Sequence, residues 1–338
     1  MIFITGANGF IGRHVVQHFV KRQPDIPLRA LLSRSHEDFA TRFPHVETFC
    51  GDLREPVPIK PALEGVETVI HLASKNIDKD GSGFQQVNVE GTKQLCHNAV
   101  QAGVRRFIYV SSVGVYGHGS HRDVDERTPV SPDTTFSRSK AEAEKIILAH
   151  HQKGDFQAII LRHRFLYGKQ DEHVMPRFMK AARNYPFWVS GGRAKMSLLL
   201  VDDFAEVIAR LATLPLSVLQ DKNDRENPTY HATDGMPIAY RQLISTICEL
   251  LNYQPPRFSI PFWLLYPLLR FYELIRGIDP EVTSSSLSSI RLKLVAQDNS
   301  FSNRKLYSLL PEMKFTPFKQ GMEKSLDYYS KFWQESKL

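Results

Sequence analysis

The sequence predicts an α/β fold: a doubly wound parallel sheet joined to a smaller, mostly helical C-terminal region. Three observations carry that expectation. The chain opens on an apolar run, Met1–Thr5, that passes directly into Gly6, Gly9 and Gly12 and then into a helical pattern. Short apolar runs alternate with helical stretches as far as residue 168. Beyond about residue 170 the alternation stops, and longer helical periods dominate.

The opening stretch, MIFITGANGFIGRHVVQHF, reads as strand, glycine turn, helix. Gly6 lets the backbone turn sharply, Gly9 lets a pyrophosphate approach the main chain, and Gly12 lets the helix pack close to the strand. The free N–H groups at the start of the helix then face the phosphates. A glycine triplet alone is also compatible with a plain tight turn; its place between an N-terminal strand and an amphipathic helix favours dinucleotide binding.

Composition narrows the class. With 338 residues and 42% apolar residues, the chain can bury a sizeable core. The net charge of +7 is spread along the chain, which suits an anionic ligand, and no nucleic-acid motif is present. Cys50, Cys96 and Cys248 are far apart and odd in number, so neither a disulfide framework nor a metal site is expected. That cysteine usage, and a first strand with no charged leader before it, imply a reducing, cytoplasmic setting.

No stretch has the ~20 apolar residues of a membrane span. The nearest is 258–275, FSIPFWLLYPLLRFYELI, broken by Pro267 and Arg270. It has two readings. One is a helix over a substrate pocket or on the face of a homodimer. The other is peripheral contact with a membrane surface or with a lipid-like substrate.

Taken in order, Leu28–Leu32 is the second strand, ending at Ser33, Arg34 and Ser35. The end of this strand faces the adenosine ribose in a dinucleotide fold. An acidic residue there would bind the 2′-hydroxyl; Arg34 instead suits a 2′-phosphate, so NADP(H) is favoured over NAD(H). The alternative is a solvated loop arginine. Val46–Cys50 is the third strand, and Asp52 after it can meet the adenine amino group or cap the next turn. Val66–Leu72 is the fourth, with His71 expected as a packed, hydrogen-bonded histidine. Ser82–Ala102 is helical, and a buried Asn88 within it needs partners, which strand backbone can supply. Val104–Val110 is the fifth strand, placing Ser111 and Ser112 at its carboxyl end, where open α/β sheets carry their chemistry.

A polar loop, His118–Thr135, follows and is placed to cover a substrate. The helix Phe136–His151 puts Lys140 one turn after Phe136 on the same face, and Phe156–Leu161 is a sixth strand. Residues 1–168 are assigned to dinucleotide binding and 169–338 to a substrate-binding cap, with some exchange of chain between the two. In the cap, helices are expected at Glu172–Arg183, from Asp202 to Leu211 and at Ala239–Leu251, with strand-like pieces at Ser197–Val201 and Tyr230–His231 and a final amphipathic helix at Phe318–Trp333.

The ordered set TGANGFIG at 5–12, GDL at 51–53, HLA at 71–73, NVEGT at 88–92, YVSSVGVYG at 109–117 and SK at 139–140 resembles the extended short-chain dehydrogenase/reductases. These include the NAD-dependent epimerase/dehydratases and the 3β-hydroxysteroid-dehydrogenase-like enzymes. The resemblance covers about residues 1–210, including VDD at 201–203. It implies a Rossmann-type fold, with Gly6, Asn8, Gly9, Phe10, Ile11, Gly12, Arg34, Asp52, Leu53, Leu72, Ala73, Asn88 and Lys140 at the cofactor. It also implies Ser112 on the reacting oxygen and Lys140 on the nicotinamide ribose. Arg162 matches a family position near the cofactor, followed by His163 where proline is usual; His163 and His173 are further candidates for substrate contact.

The family's catalytic tyrosine falls at Phe136, which has no hydroxyl to shuttle a proton. Losing a general acid/base costs about 10²–10⁴ in rate. Tyr116 is not an obvious substitute, because family members that keep the usual tyrosine have one there too. Three accounts follow: a natural variant in which water, Ser112 or another residue takes the role, a member that binds cofactor without turnover, or an engineered Tyr-to-Phe form. The first function implied is an NAD(P)-dependent oxidoreductase or epimerase/dehydratase acting on a secondary alcohol or ketone. A nucleotide sugar fits the family and the positive charge; a sterol-like alcohol fits 258–275. The alternative is a non-catalytic NAD(P)-binding regulatory or accessory protein.

Overall fold

Seven parallel strands build the central sheet: β1 (Ile2–Thr5), β2 (Leu28–Leu32), β3 (Glu47–Cys50), β4 (Thr68–His71), β5 (Arg106–Ser112), β6 (Gln157–His163) and β7 (Thr229–Ala232), in the spatial order β7-β6-β5-β4-β1-β2-β3. The computed structural model describes residues 1–32, 37–54, 59–76, 83–220, 226–279 and 288–335. Arg34 lies outside the described residues. The order reverses direction between β1 and β4, and a doubly wound sheet opens a ligand crevice at that point.

Both faces of the sheet are covered, as a parallel sheet requires. Alternation along the strands sorts the core. Ile4, Ile108 and Val110 face α1 (Phe10–Arg22) and the helix Val201–Thr213, meeting Val15, Phe19, Phe204 and Ile208. Phe3, Phe107 and Tyr109 face the other way, onto Leu95, Cys96, Ala143 and Ile147 of the helices Gly91–Gln101 and Thr135–Lys153. A separate core joins the helices Val174–Asn184, Tyr240–Leu251 and Phe318–Glu335 through Met175, Met179, Leu243, Ile247, Met322 and Tyr329.

Several elements differ from the sequence expectation. β5 continues through Ser112, because Ser111 and Ser112 pair with Arg162 and His163 of an equally long β6. The helix expected over Ser82–Ala102 begins as a π-helix, Phe84–Glu90, before the α-helix Gly91–Gln101. The polar loop 118–135 contains a strand, His121–Val124, formed by pairing with Asn299–Phe301. The expected strand Ser197–Val201 splits. Lys195–Met196 joins the small sheet with Asn299–Phe301, Leu199–Leu200 pairs with Leu166–Tyr167, and Val201 opens a helix. The strand differences reflect partners distant in sequence, which local periodicity does not contain.

Candidate active site

The glycine turn is as crowded as its spacing implies. Gly6 has φ +69°, and a Cβ there would lie 2.6 Å from the Ala73 nitrogen. A Cβ on Gly12 would lie 2.2 Å from the Gly6 carbonyl oxygen. Gly9 is different: its Cβ would approach only the Gly6 oxygen, at 3.2 Å, so its outer side is open. The first turn of α1 holds no acidic residue, leaving its positive end free for an anion. Arg13 adds a cation one turn along, where its Nε donates to the carbonyl and side-chain oxygens of Asn8 at 3.0 and 2.8 Å.

Behind the turn, His71 is a locked structural histidine. Thr92 donates to the Asn88 carbonyl at 2.6 Å, so its oxygen is left to accept from His71 Nε2 at 2.9 Å. Nδ1 is therefore the acceptor for Thr5 Oγ1 at 2.7 Å. Complete burial, with Lys140 nearby, pushes its pKa down to about 3, which keeps the ring neutral.

Asn88 sits in the π-helix and uses both ends of its amide. Its oxygen accepts from the Lys75 N–H at 2.7 Å, and its nitrogen donates to the Lys75 carbonyl at 3.0 Å and to Ser139 Oγ at 2.9 Å. It ties the loop after β4 to the helix that carries Phe136 and Lys140. A π-turn at such a site is a recurrent device for aiming one side chain.

Thr134 and Ser137 form a reciprocal capping box that starts the Thr135–Lys153 helix. From it Phe136 meets Phe84 edge-on at 5.9 Å. Lys140, 3% exposed, donates from Nζ to the Val110 carbonyl at 2.7 Å and stands 4.2 Å over the Tyr109 ring. Burial brings its pKa down to about 7, with Glu144 opposing the shift. Ser112 accepts from the Gly114 N–H at 3.1 Å. All three line one cleft of about 780 Å³, which also receives Asn8, Phe10, Ile11 and Leu72.

Tyr116 points elsewhere. Its hydroxyl lies 2.7 Å from His231 Nε2 and accepts from Arg162 Nη1 at 2.6 Å, while Arg162 also pairs with Glu144 at 2.6 Å. Burial pushes the phenol up to about 12. This network lies among buried side chains, and Tyr116 does not line the cleft.

The remaining sequence candidates divide. Gly6, Gly9, Gly12, Ala73 and Asn88 do not line the cleft: Gly6 packs on Ala73, Gly12 packs on Gly6, and Asn88 spends its amide on Lys75 and Ser139. Leu53 is buried against Gly91, whose Cβ would lie 2.9 Å from that of Leu53. The Asp52 carboxylate binds the Arg54 guanidinium at 2.6 Å and its N–H at 2.9 Å, the turn-capping alternative. His163 and His173 both line the cleft; burial, with Lys140 and Arg164 nearby, pushes His163 down to about 3. Sequence reasoning passed over Arg13, Arg164, Arg177 and Tyr328, which also line it. Only Arg13 carried a usable signal, as a cation one turn inside a phosphate-facing helix. Asp202 and Asp203 of the VDD element hold the scaffold instead, bonding His14 at 2.8 Å and the Thr316 N–H at 2.6 Å.

The chain is similar to known proteins in sequence and in fold. Over 97% of its length the chain is 24% identical to the 3beta-hydroxysteroid-dehydrogenase/decarboxylase isoform 2 of Arabidopsis thaliana, and it spans 61% of that protein. It is 26% identical to the decarboxylating sterol-4-alpha-carboxylate 3-dehydrogenase of Mus musculus, over 96% of this chain and 90% of that one. The dTDP-glucose 4,6-dehydratase of Bacillus anthracis, solved in complex with NAD, shares the fold with a TM-score of 0.72 and 17% identity, over 98% of this chain and 96% of that chain. Residues 2–222 match the NAD dependent epimerase/dehydratase family, and the chain belongs to that family.

Proposed function

We propose that the cleft oxidises or reduces a secondary alcohol or ketone on an apolar, sterol-like body. The nicotinamide dinucleotide supplies or accepts the hydride when bound. The observation that carries the reading is the convergence of Ser112, Phe136 and Lys140 on the cleft that the open glycine turn also enters. Gly9 leaves room for the pyrophosphate, and the start of α1 together with Arg13 meets its charge. Arg34 supports NADP(H) over NAD(H), and three unpaired cysteines support a cytoplasmic setting.

In the reducing direction the Ser112 hydroxyl donates to the carbonyl oxygen. As hydride reaches the carbon, that oxygen takes the serine proton, and Lys140 replaces it, directly or through one water. Lys140 thus holds the proton that a phenol at position 136 holds elsewhere in the family; with its pKa near 7, it releases and recovers that proton readily. In the oxidising direction the same proton returns to neutral Lys140.

The apolar side of the cleft favours the sterol-like substrate over a nucleotide sugar. Phe165, Val174 and Arg177 are shared with a second, apolar cavity beside Phe178, Phe187 and Leu292. Arg164, whose pKa burial lowers to about 9, and Arg177 supply cations for a polar end of the substrate. The test is turnover of the unaltered chain, Ser112→Ala and Lys140→Met on sterol ketones and nucleotide sugars with NADPH. Turnover of sterol ketones that both substitutions abolish is expected. Turnover that survives both would end this assignment.

A further inference from the structure

The helix Phe262–Arg276 is exposed in a manner unlike any other described helix. Trp263 is 74% exposed and Leu274 77%, and Leu264, Leu268, Phe271, Tyr272 and Ile275 are exposed with them. At about 100° per residue these side chains fall within an arc of roughly 180°. Arg270 and Arg276 fall just outside its two edges. Phe262, Tyr266, Leu269 and Glu273 lie on the opposite side.

That opposite side faces the protein. Glu273 is 2% exposed; it accepts from the Ser289 N–H at 2.7 Å and from Arg270 at 3.0 Å. Lys293 of the helix Ser289–Ala296 stands 5.4 Å from the Tyr266 ring. The helix is therefore seated and cannot turn its apolar arc inward. Its only acid is buried and paired with Arg270, and Arg276, on a long apolar stem along the other margin, adds a second exposed cation. Apolar and aromatic side chains below with a cation at the edge suit a helix lying in the interface of a bilayer, where the Arg276 guanidinium reaches lipid phosphates. No helix of the described residues is long and apolar enough to cross a membrane.

We infer that the helix Phe262–Arg276 docks the protein on the surface of an anionic lipid bilayer. The position of the helix adds a reason for docking there. It packs on Ser289–Ala296, and its preceding strand, Phe258–Ile260, pairs with Phe187–Val189. Both of those elements line the apolar cavity that shares Phe165, Val174 and Arg177 with the catalytic cleft. A lipid alcohol leaving the bilayer at this helix would meet an apolar path to Ser112 and Lys140. Only this path rests on the proposed reaction; the docking itself does not.

The experiment is flotation of the full chain with phosphatidylcholine vesicles, with and without phosphatidylglycerol, which needs no turnover. Flotation with the anionic vesicles is expected, with a blue shift of Trp263 emission. The Leu268→Glu/Ile275→Glu double variant should lose at least about tenfold in affinity, and Arg276→Glu should bind more weakly than the unaltered chain. A nucleotide-induced thermal shift retained in each variant confirms that it is folded. Failure of the unaltered chain to float would overturn the inference. Equal binding to neutral vesicles would remove Arg276 from it and with that cation the anionic surface. A dimer in light scattering that the double variant splits would assign the face to a second copy of the chain.

Discussion

Lys140 Nζ is bonded to the carbonyl oxygen of Val110 at 2.7 Å, two residues from Ser112 on the same strand. The bond ties this lysine to the strand that presents the serine. It also fixes that cation where burial opposes its charge.

The first consequence is a pH profile. The Lys140 pKa is lowered to about 7, and reduction needs the protonated form. The rate of ketone reduction should therefore be full below pH ~7 and fall as pH rises through it; alcohol oxidation should do the reverse. The check is kcat against pH in both directions. Two flat profiles would take Lys140 out of the proton path.

Phe136→Tyr places a phenol on a face that already lines the cleft. It should raise turnover by about 10²–10⁴, and its pH dependence should no longer follow Lys140 alone. Single-turnover rates on a sterol ketone would measure this. An unchanged rate would mean that substrate does not reach position 136.

Gly9→Val places a side chain on the open side of the turn. It should abolish the rise in melting temperature with NADPH, NADP⁺, NADH and NAD⁺, with a smaller loss of stability from the 3.2 Å approach of its Cβ to the Gly6 oxygen. Gly12→Ala acts differently. Its methyl would meet the Gly6 carbonyl at 2.2 Å, so it should cost about 2 kcal/mol or more of stability before any ligand is added. Arg34→Ala should weaken NADPH more than NADH, and equal losses would exclude a 2′-phosphate role.

Tyr116→Phe separates structure from chemistry. It removes the oxygen shared by Arg162 and His231, and the loss should be about 1–3 kcal/mol in thermal or denaturant unfolding. Dinucleotide affinity and the pH profile should stay as they are. A collapse of kcat at unchanged stability would instead make Tyr116 the missing acid.

Much of the site was legible because its parts are local. Gly6, Gly9 and Gly12 announce a turn whose geometry needs no distant partner. Lys140 follows Phe136 by one helical turn, whatever else the chain does. His71 was readable as a packed histidine, although the Thr5 and Thr92 hydroxyls that lock its tautomer come from positions remote in sequence. The membership of Arg164, Arg177 and Tyr328 was not legible. They reach the cleft from the segment after β6 and from two cap helices, brought together by packing that leaves no periodic mark.

By itself the sequence determined the first six strands of the sheet, the glycine turn, the family and a side chain without a hydroxyl at position 136, because covalent spacing and side-chain chemistry decide each of these. Only the tertiary structure decided that Tyr116 faces the core, that β7 joins the sheet, and that the helix Phe262–Arg276 turns its apolar arc outward. Those outcomes depend on which surfaces compete for the same partners. A Leu or Trp in a one-dimensional pattern is equally suited to a core or to an exposed face until Glu273 is seen holding the other side down.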